Sequence, residues 1–155
     1  MKAVIQRVLS SSVTVNGTVA GQIDRGLNIL LCVVEGDTKA EADVLAAKIA
    51  KLRIFEDADE KMNVSLTDVG GGALVISQFT LSADCRKGNR PSFSSSAKPD
   101  DANALYEYFA EQLSANGVAN VEKGVFAADM QVEILGDGPV TIILDSDIFK
   151  QSRRQ

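Results

Sequence analysis

The chain has 155 residues, 45% of them hydrophobic, the size and apolar content of one ordinary domain that supplies its own core. Its 16 Lys and Arg stand against 21 Asp and Glu, a net charge of −5 with a pI near 4.7, which argues against a broad electrostatic grip on nucleic acid but leaves room for a small local contact. There is no histidine, which removes Ser-His-Asp and Cys-His machinery, imidazole-built zinc sites and an imidazole base.

The start predicts a strand from Ala3 to Leu9. Val13-Thr14-Val15 and Thr18-Val19 flank Asn16-Gly17, a two-residue hairpin signal, since both turn positions tolerate positive φ. A buried strand from Leu27 to Val34 follows. Thr38 with Glu41 three places on makes a capping box, opening a helix whose stripe is Leu45, Ile49 and Leu52. After Arg53-Ile54-Phe55 come a polar turn, Glu56 to Asn63, and a flexible break at Gly70-Gly71-Gly72. Ala73 to Phe79 is apolar on both faces through Ile76 and reads as a central strand covered on both sides. Ser82 to Pro99 is a polar loop. A second helix, from near Asp100 to about Ala115, carries the stripe Ala102, Leu105, Phe109 and Leu113, and Asn116-Gly117 stops it. Met130, Val132 and Ile134 alternate with polar residues as a half-buried strand, and Gly136-Asp137-Gly138-Pro139 turns the chain into a last strand, Val140 to Leu144.

This order is not a strict βαβ alternation. It predicts an α/β fold of the α+β type: mostly β layers with two main helices packed on one face, a β-β-α layered sandwich. One domain is expected over residues 1–146, with a polar C-terminal tail at 147–155 in which Lys150, Arg153 and Arg154 read as solvated surface. No apolar run is long enough for a bilayer, and Met1 to Arg7 lacks the features of a secretory leader, so a cytoplasmic protein with no membrane contact is expected. Cys32 and Cys85 share no short-spacing motif; Cys32 reads as a small buried hydrophobe, and no metal is expected. No GxGxxG or P-loop pattern supports a nucleotide cofactor, and none is expected.

Two segments are candidates for chemistry. In Ser77-Gln78-Phe79-Thr80-Leu81-Ser82-Ala83-Asp84, polar groups appear abruptly at the end of a buried strand. It is either a strand fraying into a polar loop or a site delivered by a rigid element. Asp137-Gly138-Pro139-Val140-Thr141 is either an ordinary turn or a place where a glycine lets backbone carbonyls approach a ligand. Thr80 is the obvious hydroxyl nucleophile, but no base is in view to activate it. Arg7 shares a strand face with Ile5 and Leu9 and is either a snorkelling side chain or a buried clamp that needs partners.

Five blocks taken together resemble the D-aminoacyl-tRNA deacylase (D-tyrosyl-tRNA deacylase) family: Ala3-Val4-Ile5-Gln6-Arg7-Val8, Leu52-Arg53-Ile54-Phe55, Ser77-Gln78-Phe79-Thr80-Leu81, Lys87-Gly88-Asn89-Arg90-Pro91-Ser92-Phe93 and Asp137-Gly138-Pro139-Val140-Thr141. The resemblance implies a homodimer that hydrolyses the ester of D-aminoacyl-tRNA at the tRNA acceptor end. It further implies that Gly138 and Pro139, joined by a cis bond, reach into the neighbouring protomer's site. There their carbonyl oxygens would exclude an L side chain while admitting D residues and the glycine of mischarged glycyl-tRNA. Arg7 is implied to hold that pair in orientation. Ser77, Gln78, Phe79 and Thr80 match the catalytic strand end, and Phe126 and Met130 the pocket for the terminal adenosine. The chain departs from the family's usual pattern at Ala127, commonly glycine, and at Gly136, commonly asparagine. Ala127 bears on the width of the adenosine pocket.

In the implied mechanism the RNA supplies much of the chemistry through the terminal 2′-hydroxyl, and the protein supplies position and oxyanion stabilisation. Positioning contributes ~7–11 kcal/mol and an oxyanion donor ~3–4 kcal/mol, with the backbone N–H of Phe79 or Thr80 as donor and Gln78 placing ester or water. Thr80 as covalent nucleophile is the alternative. Arg86, Lys87 and Arg90 are expected to touch RNA phosphates, or else to be solvated surface. The competing classes are a dimeric binding module without activity and an esterase for small acyl groups.

Overall fold

In a computed structural model that describes residues 1–150, the first strand, β1 (Lys2–Val15), runs well past Leu9. Ser10-Ser11-Ser12 has little strand preference of its own, yet Ser11 and Ser12 are paired on both edges, and this tertiary pairing overrides propensity. Asn16 (φ 50) and Gly17 (φ 77) form the expected tight turn into β2 (Thr18–Ile23). Next, β3 (Gly26–Cys32) lies antiparallel to the first half of β1.

Helix α1 (Lys39–Lys51) starts as the capping box predicts. The Ala40 N–H donates to the Thr38 hydroxyl oxygen at 3.2 Å, and the Thr38 N–H donates to the Glu41 carboxylate at 2.7 Å. Leu45 and Ile49 are buried, while Leu52 is the residue on which the helix ends. In place of a simple polar turn stands a short hairpin of β4 (Phe55–Glu56) and β5 (Met62–Val64). The Asp57 carboxylate organises its loop, accepting from the N–H groups of Asp59 and Lys61 and from the Asn63 amide.

One further turn of helix, α2 (Leu66–Val69), has its own capping box from Ser65 and Asp68. The glycine run after it is built into the junction between α2 and the next strand. Gly70 closes α2 in the left-handed region (φ 64), and a Cβ on Gly72 would lie 2.9 Å from Ile23 Cγ2. Strand β6 (Gly72–Ser77) runs parallel to β3 on one side and to β7 (Asn120–Lys123) on the other, and it is buried through Ile76 as expected. Between them, α3 (Pro99–Ala115) buries Tyr106, Phe109 and Leu113.

The sheet order is β2-β1-β3-β6-β7, with β8 (Gln131–Asp145) along the other edge of β1. The main core joins Ile5, Ile29 and Val75 of the sheet to Leu45 and Ile49 of α1 and Phe109 and Leu113 of α3. A second, smaller core of Val8, Val13, Ile23, Leu74 and Ile76 lies on the opposite face, where the sheet curls so that β2 approaches β6 and β7. The result is the layered, sheet-dominated α/β architecture expected, with three α-helices among the described residues rather than two. Inside the smaller core, Asn28 Nδ2 donates to Ser11 Oγ at 3.0 Å and Ser11 Oγ donates to the Glu133 carbonyl at 2.7 Å, which links β3, β1 and β8.

Strand β8 corrects two expectations. The chain does not turn at Gly136–Pro139; it stays in one strand and bulges. Gln6 pairs with Thr141 and Val8 with Gly136, so residues 137–140 all stand opposite the single residue Arg7. Ile134 is also less buried than its alternation suggests, because β8 is an edge strand paired only with β1 among the described residues. Leu135 and Ile143 on it are 56% and 76% exposed.

Ser146–Phe149 form a 3₁₀ turn, and Lys150 Nζ reaches the Glu41 carboxylate at 2.9 Å. Arg153 and Arg154 lie outside the described residues. No helix among the described residues is long and apolar enough to cross a membrane.

Candidate active site

The last ladder bond at the end of β6 runs from the Gln78 N–H to the Leu31 carbonyl, at 2.8 Å. Beyond it the chain leaves β3 and tightens into a 3₁₀ turn, Phe79–Ser82. Two bonds to the Phe79 carbonyl hold that turn: Ser82 Oγ donates at 2.7 Å and the Cys32 thiol at 3.5 Å. Burial pushes the Cys32 thiol above its ordinary pKa against the opposing hydrogen bond with Ser82, so Cys32 is a structural group rather than a nucleophile. The N–H groups of Phe79 and Thr80 have no acceptor among the described residues. The Gln78 side-chain amide donates to the Thr80 hydroxyl, and nothing among the described residues accepts the Thr80 proton.

This strand end forms one wall of a pocket of about 740 Å³. Ser77, Gln78 and Phe79 line it together with Phe126 and Met130, so five of the residues singled out in the sequence converge. Thr80 sits one residue beyond the lining, exposed. Phe79 packs edge-on against Phe93, with ring centroids 5.1 Å apart and planes at 76°. Phe126 leans on Tyr106 at 6.0 Å, and the Tyr106 hydroxyl donates to the Val75 carbonyl of β6 at 2.8 Å. The aromatic wall is thereby tied to the central strand.

Among the lining residues that sequence reasoning gave no part in the site are Phe93 and Lys98. Phe93 lies within a recognised block, but nothing local assigns it a wall. Ala127 holds φ 63. Lys98, just before the Pro99 that opens α3, is the one charged residue of the lining.

The second sequence candidate lies elsewhere on the chain. Arg7 is buried, only 5% exposed. Its Nε donates to the Asp137 carbonyl at 3.2 Å and lies 3.2 Å from the Asp137 carboxylate, and its Nη1 donates to the Ile54 carbonyl at 2.8 Å. Arg7 is therefore the clamp of the two alternatives, not a snorkelling side chain. The Gly138-Pro139 bond is cis, and Gly138 has φ 127. A Cβ there would sit 2.9 Å from Val140 Cγ2 and 3.2 Å from Arg7 Nη2. Arg7, Gly138 and Pro139 do not line the pocket of their own chain, and neither do Arg86, Lys87 and Arg90. Arg86 pairs with Asp84 through two bonds of 2.9 and 2.7 Å, which hold the Asp84 carboxyl below its usual range.

Fold and site together define a class: a sheet-dominated α/β protein with an aromatic, almost uncharged pocket at the end of a doubly covered strand. The chain belongs to the D-Tyr-tRNA(Tyr) deacylase family, whose model matches residues 4–145. A D-aminoacyl-tRNA deacylase of Ruegeria pomeroyi is 61% identical over 145 residues, 94% of this chain and 99% of that one. Among solved structures, one titled c-Myc DNA unwinding element binding protein is 41% identical with a TM-score of 0.88, covering 94% of this chain and 98% of that one. A probable eukaryotic D-amino acid tRNA deacylase shares the fold, with a TM-score of 0.76 at 17% identity over 92% of this chain and 97% of that one. The expectation of a D-aminoacyl-tRNA deacylase, a hydrolase of aminoacyl-tRNA esters, is borne out by this membership.

Proposed function

We propose that the protein works in the cytoplasm as a homodimer that cleaves D-aminoacyl-tRNA and mischarged glycyl-tRNA, and that each protomer offers Gly138 and Pro139 to the pocket of its partner. One observation carries this reading. The Gly-Pro bulge and the Ser77–Gln78 pocket belong to different places on one chain, and the bulge sits on a sheet edge without a partner among the described residues. A two-fold pairing would bring each bulge to the other's pocket and cover Leu135 and Ile143.

The chemistry then needs no ionisable protein group. Water attacks the ester carbonyl, and the oxyanion that forms is held by the free N–H of Phe79 or Thr80 while Gln78 places the ester. The terminal adenosine, stacked against Phe126 and Met130, brings its 2′-hydroxyl to assist the attack, and the 3′-oxygen leaves with a proton. Carbonyl oxygens at Gly138 and Pro139 would fill the space an L side chain needs, so selection is by exclusion and the D side chain itself goes unread.

The test is deacylation of matched D-tyrosyl-, L-tyrosyl- and glycyl-tRNA, with the mass in solution measured alongside. Cleavage of the D and glycyl substrates by a dimer, with the L substrate spared, is expected. Equal cleavage of both enantiomers would remove the exclusion, and no cleavage of any would remove the activity.

A further inference from the structure

We infer that Lys98 is a substrate-binding residue that takes the phosphate on the 5′ side of the terminal nucleotide. This rests on the reading of the pocket as the seat of that nucleotide. Of the described residues that line the pocket, Lys98 alone carries a charge. Its ammonium makes no ion pair, hydrogen bond or ring contact among the described residues, whereas Arg86, Lys123 and Lys150 are all paired with carboxylates. Lys98 itself is exposed at the rim, while the buried cation Arg7 is consumed by Asp137 and Ile54.

The backbone that bears Lys98 is fixed on both sides. Before it, Ala97 N–H donates to the Val33 carbonyl at 3.1 Å, and Ser96 bridges Val34 beyond the end of β3. After it, Ala102 N–H donates to the Lys98 carbonyl at 2.8 Å in the first turn of α3. The stem of Lys98 therefore starts from a rigid point at the pocket wall, which lowers the entropy lost when the ammonium is engaged.

Lys98 is also a poor structural choice. It occupies the capping position of a 17-residue helix and makes no side-chain cap bond. Ser, Thr, Asp or Asn would cap there, and a cation opposes the helix dipole where Asp100 and Asp101 complement it. A residue that breaks a local rule beside a pocket is expected where function outweighs the local loss. The pocket and its single unpaired charge carry the inference; the helix end only shows that Lys98 gains nothing from its fold position. The ligand chemistry follows. An adenosine between Phe79, Phe126 and Met130 has one nearby anion to offer, the phosphodiester that joins it to the rest of the strand, and a lysine is a point-charge partner for such a group.

The experiment uses two small substrates, D-tyrosyl-adenosine with and without a 5′-phosphate, alongside D-tyrosyl-tRNA. For the intact enzyme the added phosphate should lower KM about tenfold. In Lys98→Ala that gain should shrink below about twofold, and Lys98→Arg should restore most of it. With tRNA, Lys98→Ala should raise KM about tenfold, leave kcat within about twofold, and reduce the slope of log(kcat/KM) against log salt by about 0.7, the contribution of one phosphate contact on a single strand. An equal benefit from the phosphate in the intact enzyme and in Lys98→Ala would overturn the inference. So would a loss in Lys98→Ala that falls on kcat instead of KM. An intact enzyme that cleaves none of these substrates would instead overturn the reading of the pocket on which the inference rests.

Discussion

Arg7 and Asp137 stand 130 positions apart in sequence and meet through Arg7 Nε, which donates to the Asp137 carbonyl at 3.2 Å and lies the same distance from its carboxylate. With Nη1 on the Ile54 carbonyl, the guanidinium ties the β8 bulge to the chain that enters β4. Lysine cannot reproduce a fork that bonds in two directions. Arg7→Lys should therefore destabilise the fold by about 1–3 kcal/mol in urea or thermal melts, and should narrow the ratio of D- to L-tyrosyl-tRNA cleavage. Retention of both stability and ratio would show that the clamp does not position the bulge.

Gly138 has no room for a side chain and holds φ 127, a region L residues rarely enter. Gly138→Ala should push Val140 or Arg7 Nη2 aside and shift the bulge by a sizeable fraction of an ångström. Misplacement on that scale is expected to lower kcat/KM for the D substrate by about 100-fold, with far-UV circular dichroism unchanged. Wild-type kinetics in a folded Gly138→Ala protein would detach the bulge from the reaction.

Ala127 lines the pocket with φ 63. The left-handed region costs an alanine about 1–2 kcal/mol, partly offset by the greater freedom glycine has when unfolded. Ala127→Gly should thus stabilise the protein by about 0.5–1 kcal/mol, visible as a Tm rise of about 2 °C. A lower Tm would mean that the methyl group packs well enough to outweigh its backbone.

Thr80 receives a bond from Gln78 and has, among the described residues, no group to take its proton. Thr80→Ala is expected to keep turnover within about threefold, since only a positioning contact of ordinary strength is lost. A tRNA ending in 2′-deoxyadenosine should be cleaved far more slowly. Complete loss in Thr80→Ala together with normal cleavage of the deoxy substrate would make Thr80 the nucleophile.

Glu41 gives the fold a measurable acid sensitivity. The Thr38 hydroxyl, then Lys150 and the Thr38 N–H, hold its carboxyl at about 2 against an ordinary 4.5. A depressed folded value contributes stability that is complete above pH 4.5 and is lost as pH falls toward 2. Glu41→Gln keeps the shape of the cap without the charge, so its stability should decline less steeply through that window than the wild type's. Parallel curves would place the acid response elsewhere.

Features built from neighbours in sequence were legible: the Asn16-Gly17 turn, the Thr38–Glu41 box and the doubly apolar run ending at Ile76 each depend on local chemistry. The bulge at 137–140 was misread as a turn because Gly-Asp-Gly-Pro punctuates a chain in the same way whether or not a partner strand continues past it. Only the pairing of Gln6 with Thr141 and Val8 with Gly136 distinguishes the two. The Ser65–Asp68 box was passed over because α2 is a single turn without a stripe to draw attention. At the site, Ser77, Gln78 and Phe79 stood out as the end of a buried strand, Phe126 and Met130 were found through family resemblance, and Lys98 carries no such mark. Its position follows from Ala97 and Ser96 docking on the end of β3, a long-range event that no window of sequence contains.

A recess walled by phenylalanines, alanines, a methionine, small polar groups and one lysine holds, among the described residues, no side chain of a type that ordinarily gains or loses a proton between pH 5 and 8. A reaction seated there would meet no titrating wall to switch it off when a cell acidifies. Any bend in its rate profile across neutrality would then belong to the aminoacyl ester it receives, whose own ammonium group releases its proton in that range, and the profile would read the chemistry of the cargo.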